Sequence, residues 1–67
     1  MAISEREILQ AVISSMKDAG YDPYEQLYGY YTSGEDNYIT RRGNAREMIA
    51  KVSADTIREY LRENEKR

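Results

Sequence analysis

Within 67 residues, three segments open on a short polar residue followed three positions later by glutamate: Ser4-x-x-Glu7, Asp22-x-x-Glu25 and Asn44-x-x-Glu47. A Ser, Asp or Asn side chain so placed caps the free N–H groups of a helix's first turn, and the acid reaches back to the cap. Pro23 strengthens the second signal, because its fixed φ and missing donor suit a first helical position. Ser53 marks a fourth start, with Asp55 in the first turn and Val52 spaced to pack on Ile57 as a hydrophobic staple. Four starts in so short a chain leave room only for short helices.

Apolar spacing extends each start. About Glu5 to Ala19 lines up Ile8, Leu9, Val12, Ile13 and Met16 and stops at Gly20, a natural residue for a left-handed helix end. Pro23 to Thr32 places Tyr24, Leu27, Tyr28 and Tyr31 at i, i+3, i+4 and i+7, after which Gly34 stops the helix and Glu35-Asp36-Asn37 reads as an exposed turn. Ala45 to Val52 repeats the spacing with Ala45, Met48, Ile49 and Val52. Ala54 to about Asn64 offers Ile57, Tyr60 and Leu61 before a frayed tail over 64–67. No segment alternates long enough for a strand, although 37–40 has the composition to pair briefly across a two-fold axis. The reading is all-α: three to four short helices forming a single small domain over residues 1–67.

Such a chain makes a thin core. Hydrophobic residues are 40% of it, and a domain of this length buries only about 60% of its unfolded surface. With no cysteine and no histidine, disulfides and the common metal ligands are unavailable as staples, which leaves oligomerisation. A homodimer is expected, intertwined or isologous.

The same absences narrow the chemistry. There is no thiolate nucleophile and no imidazole base, so catalysis would rest on Tyr, Asp, Glu, Arg and Lys alone. The acids fall at helix caps, in a turn and on polar faces, where solvation keeps them ordinary. The run Gly34-Glu35-Asp36-Asn37-Tyr38 lacks the alternating oxygen ligands of a calcium loop. No enzyme, metal or cofactor is read from these residues. A pI near 5.0 argues against nucleic acid as the main partner. The Arg58, Glu59, Arg62, Glu63 face of the last predicted helix mixes both signs. The opening residues lack a signal-type apolar run, no window suits a membrane span, and the missing cysteines fit a cytoplasmic address.

Charge is unevenly spread. Residues 18–38 carry five acids and no base, whereas 39–67 sum to +3. Arg41, Arg42 and Arg46 gather where the third helix is predicted to start and form the candidate anion or phosphopeptide site. The alternative is that Arg46 pairs with an acid of 18–38. Six of the seven tyrosines lie between residues 21 and 38. Tyr24, Tyr28 and Tyr31 form a stripe with Leu27 that suits an interface, because the rings bury area while the hydroxyls seek partners. With Tyr38 and Ile39 they are the candidate dimer or partner surface. Tyr30 lies on a second face with Gln26, a weaker candidate for a ligand contact, and Gly29 between the two faces has room for a close neighbour.

The run Gly20-Tyr21-x-Pro23-x-x-Gln26-x-x-Gly29-Tyr30-x-x-Ser33-Gly34-x-x-x-Tyr38 resembles the IreB family of small regulatory phosphoproteins of Gram-positive bacteria. The likeness continues without gaps through Arg41, Asn44, Ala45, Arg46, Ile49, Lys51, Asp55, Ile57, Glu59 and Leu61. It implies an all-helical, non-enzymatic homodimer in the cytoplasm, acting downstream of a transmembrane Ser/Thr kinase that senses the cell envelope and affects tolerance of cell-wall antibiotics. It also implies a protein partner in that pathway. The family's phosphorylated threonines lie in an extension before the first helix. Here no threonine precedes Thr32, and Ser4, the one hydroxyl upstream of the first helix, reads as a cap. Two expectations stand: the family's fold and dimer without that switch, or a branch with another role. The Tyr24, Tyr28, Tyr31 stripe is not part of the resemblance.

Overall fold

The computed structural model describes residues 4–65. Four α-helices and no strand are found among them: α1 (Glu5–Asp18), α2 (Pro23–Ser33), α3 (Ala45–Ile49) and α4 (Ala54–Glu63). Two 3₁₀ turns, Asp36–Tyr38 and Arg42–Asn44, lie in the connector between α2 and α3. Of the tail expected to fray, residues 66 and 67 lie outside the described residues.

Three of the four caps form. Ser4 accepts from the Glu7 N–H, Asp22 from the Tyr24 N–H and Ser53 from the Thr56 N–H. At the far end of α1, Gly20 N–H donates to the Lys17 carbonyl and Tyr21 N–H to the Met16 carbonyl, the paired bonds of a Schellman motif. Gly20 and Gly34 hold φ of 87° and 75°, a region glycine enters without Cβ strain.

The fourth cap does not form. Asn44 is left-handed at φ 59° and its side chain makes no capping bond. A capping side chain needs extended backbone at its own residue, and here the chain reaches α3 through a 3₁₀ turn whose Arg42 carbonyl accepts from the Ala45 N–H. α3 is also shorter than the apolar spacing suggests. It ends at Ile49, and Lys51 and Val52 donate to the Met48 and Ile49 carbonyls, i to i−3 bonds that tighten the chain. This tightening lets Val52 stay in the core while Ser53 turns extended to cap α4.

α1 packs chiefly on α3, and α2 on α4. The core joins Leu9, Val12, Ile13 and Met16 of α1 to Leu27 of α2, Ala45 and Ile49 of α3, and Ile57 and Leu61 of α4, with Val52 and Ile39 from the connections. Each large aliphatic side chain so buried contributes roughly 1.5–3 kcal/mol. Leu27 is 0% exposed and Ile39 1%. Both were expected at the dimer or partner surface, but a side chain sealed inside its own chain has no area to offer another. The reason is local. Ile39 is the one apolar residue of the connector's extended stretch after Tyr38, so it alone can anchor that stretch in the core.

A clasp between residues distant in sequence joins the N-terminal ends of α1 and α4. Glu5 Oε1 accepts from the Ser53 N–H at 2.7 Å and from the Thr56 hydroxyl at 2.9 Å. In a capping box the acid three residues after the cap does this work; α4 has Thr56 there, and Glu5 supplies the carboxylate from another helix. Above it, Arg6 donates to Glu63 at 2.9 Å.

Candidate functional site

α2 presents the tyrosines on two sides. Tyr24 is half-buried against the core and its ring stacks on Tyr28, with centroids 6.4 Å apart and planes 20° from parallel. Tyr28 is 54% exposed, the most exposed of the large hydrophobic side chains among the described residues, and Tyr31 is also exposed. Beside them, α4 adds Leu61, Arg58 and Arg62 to an open groove whose wall is Tyr24, Tyr28 and Tyr31. Thr32 and Glu65 complete its lining, and Arg58 also pairs with Asp55 at 3.1 Å, so an aromatic wall faces a rim of mixed charge.

The other side of α2 holds down the connector. The Gln26 side-chain amide donates to the Tyr38 carbonyl at 2.8 Å. Arg46 Nε donates to the next carbonyl, Ile39, also at 2.8 Å. The Tyr38 ring lies directly on Gly29, and the Ser33 hydroxyl, which donates to the Gly29 carbonyl, accepts from the Glu35 N–H. Residues 37–40 therefore do not offer a free edge for pairing across a two-fold axis, since two of their carbonyls are already taken. Tyr38 itself is exposed on its outer side. Tyr30 is partly buried against the core, and Gln26, considered with it as a ligand contact, is used on the connector instead.

Of the three candidate anion-binding residues, Arg46 is half-buried and engaged on the Ile39 carbonyl, not on an acid of 18–38. Arg41 and Arg42 are exposed. Among the described residues, none of the three has a carboxylate within ion-pair distance. The described residues hold no cluster of three or more metal-ligating side chains, and no helix among them is long and apolar enough to cross a membrane.

The residues of the clamp, Gln26, Gly29, Ser33, Tyr38 and Arg46, are among those that carry the family likeness. Their shared task in this structure is to fix the connector. The model of the family described as "IreB regulatory phosphoprotein" matches residues 2–64. The chain belongs to this family. A UPF0297 protein of Acetivibrio thermocellus is 43% identical over 56 residues, covering 84% of this chain and 62% of the relative. A UPF0297 protein of Lachnoclostridium phytofermentans is 39% identical over 56 residues, covering 84% of this chain and 64% of the relative. The match thus spans somewhat less than two thirds of the length of these IreB relatives.

Sequence reasoning did not find the Gln26 and Arg46 bonds to backbone carbonyls or the Glu5 clasp. No spacing signals a side chain that reaches across 48 residues to a cap, as Glu5 does to Ser53.

Proposed function

We propose that this IreB-family chain is a non-enzymatic cytoplasmic regulator that works as a homodimer, is controlled by phosphorylation, and acts through a protein partner in a Ser/Thr-kinase pathway of cell-envelope stress. The observation that carries the dimer is the groove between α2 and α4, where Tyr28 stands exposed on the half-buried Tyr24 and Arg58, Leu61, Arg62 and Glu65 complete the lining. Aromatic and arginine side chains are what interface cores favour. A second copy is a fitting occupant, because the acidic 18–38 segment of one chain complements the basic 39–67 segment of another. The family description supports regulation and phosphorylation, and the absence of any histidine or cysteine leaves few routes to catalysis.

Sedimentation velocity across nanomolar to micromolar concentrations tests the assembly. A mass of two chains at the upper end is expected, and a monomer throughout defeats the dimer reading.

A further inference from the structure

We propose that Thr40 is a phosphoacceptor and that Arg41 and Arg42 receive its phosphate, ordering the part of the α2–α3 connector that carries all three. This rests on the reading that the chain is regulated by phosphorylation, and it names the site.

The hydroxyls differ in how free they are. Thr32 donates to the Tyr28 carbonyl and Ser33 to that of Gly29. Ser4 and Ser53 cap helices, and Thr56 donates to Glu5. Ser14, exposed, and Ser15, half-buried, lie within α1, where an extended acceptor segment cannot form without unwinding the helix. Thr40 lies in the connector outside any helix, between Ile39, extended at φ −102° and ψ 129°, and Arg41, which leads into the 3₁₀ turn. Its hydroxyl oxygen accepts from the Arg42 N–H at 3.2 Å. Among the described residues, its own proton goes to no protein acceptor.

The surroundings suit a dianion. Arg41 and Arg42 follow immediately, exposed and without an acid in ion-pair range among the described residues. Arg46 already holds the carbonyl that precedes Thr40. Glu35 and Asp36 line the cleft beyond Arg46, so the phosphate's favourable place is on the Arg41 and Arg42 side. A phosphate opposite an arginine cluster makes charge-assisted hydrogen bonds and orders the segment that carries it.

The chemistry is ordinary phosphoryl transfer from a nucleoside triphosphate on a protein Ser/Thr kinase. Thr40 Oγ1 forms a bond to the γ-phosphorus as the bond to the nucleoside diphosphate breaks, and the hydroxyl proton passes to the kinase's base. The kinase reaches Thr40 when the connector lifts, a local opening that breaks the Gln26 and Arg46 bonds to its carbonyls and withdraws Ile39 from the core. Modification then orders residues 40–42.

A 67-residue chain is within reach of total synthesis, with phosphothreonine at position 40. In low salt, amides 38–42 of the phosphorylated chain should exchange roughly tenfold more slowly than in the unmodified chain, as one or two net charge-assisted bonds would give. The difference should shrink in about 0.5 M NaCl and vanish when Arg41→Ala and Arg42→Ala are combined. Exchange that is unchanged or faster on phosphorylation overturns this ordering. Phosphosite mapping of the chain from its native cell provides the second arm. Phosphate on Thr40 supports the site. Phosphate confined to other hydroxyls overturns it while leaving the phosphoprotein reading intact, and a chain without phosphate overturns both.

Discussion

The Tyr38 ring occupies the space a side chain would need at Gly29: a Cβ built there would lie 2.5 Å from two ring carbons. This contact explains a glycine in the middle of α2, where alanine would favour the helix by about 1 kcal/mol. The glycine is kept because the connector crosses the helix at that point.

Gly29→Ala should therefore destabilise the protein. Overpacking of this kind costs about 1–3 kcal/mol, which exceeds or offsets the helix-propensity gain. In a Tyr38→Ala background the obstacle is gone, and Gly29→Ala should become stabilising by about 0.5–1 kcal/mol. Urea denaturation of the four variants gives the coupling directly. Additive effects would show that the ring swings away freely.

The clamp makes a separate prediction. Gln26→Met keeps the side chain's length but removes the donor to the Tyr38 carbonyl. The bond is exposed and water can take its place, so its loss should cost about 0.5–1.5 kcal/mol locally. Hydrogen exchange should accelerate over residues 36–42 while the buried amides of α1 stay protected. Uniform acceleration would instead mean that connector and core open together.

These contacts mark where sequence reading reached its limit. The helices were legible because capping and apolar spacing are local: Ser4, Asp22 and Ser53 act on residues two or three positions away. Asn44 misled because the same local signal also suits a left-handed residue, and the 3₁₀ turn before α3 settled which conformation it took. Ile39 looked like interface because hydrophobicity alone does not distinguish burial within a chain from burial between chains. Gln26 and Arg46 bind backbone carbonyls, which every residue possesses, so nothing in the sequence marks their targets. Gln26 and Arg46 are both positions of the family likeness; only the structure gives them a common task.

The Glu5 clasp predicts a pH dependence. The Ser53 backbone N–H, then the Ser53 and Thr56 side chains, hold the Glu5 carboxyl below its ordinary value of 4.5. A carboxyl depressed on folding binds its proton more weakly in the native state, so it stabilises the fold above the unfolded value and loses that contribution as pH falls through the lower native value. Glu5→Gln keeps an oxygen to accept both bonds but cannot ionise. The stability gap between wild type and Glu5→Gln should be full at pH 6–7 and close progressively below about pH 4.5. A gap that does not vary with pH would place the effect in geometry instead of charge.

The tyrosine face separates core from interface. Tyr28 is 54% exposed, so Tyr28→Ala removes little packing from the chain itself. If a second copy covers the groove, Tyr28→Ala and Tyr31→Ala should each weaken dimerisation by roughly 1–4 kcal/mol, as interface anchors do. Because dimerisation makes the melting temperature depend on protein concentration, the variants should melt lower and lose much of that dependence. Arg62→Glu provides the electrostatic control: it should weaken assembly more at low salt than at high salt, since it sets a new acid against the partner's acidic segment. Sedimentation and thermal melts on the same samples distinguish the cases. Dissociation into folded monomers identifies Tyr28 and Tyr31 as interface anchors, whereas lost stability at unchanged stoichiometry assigns them to the chain's own packing.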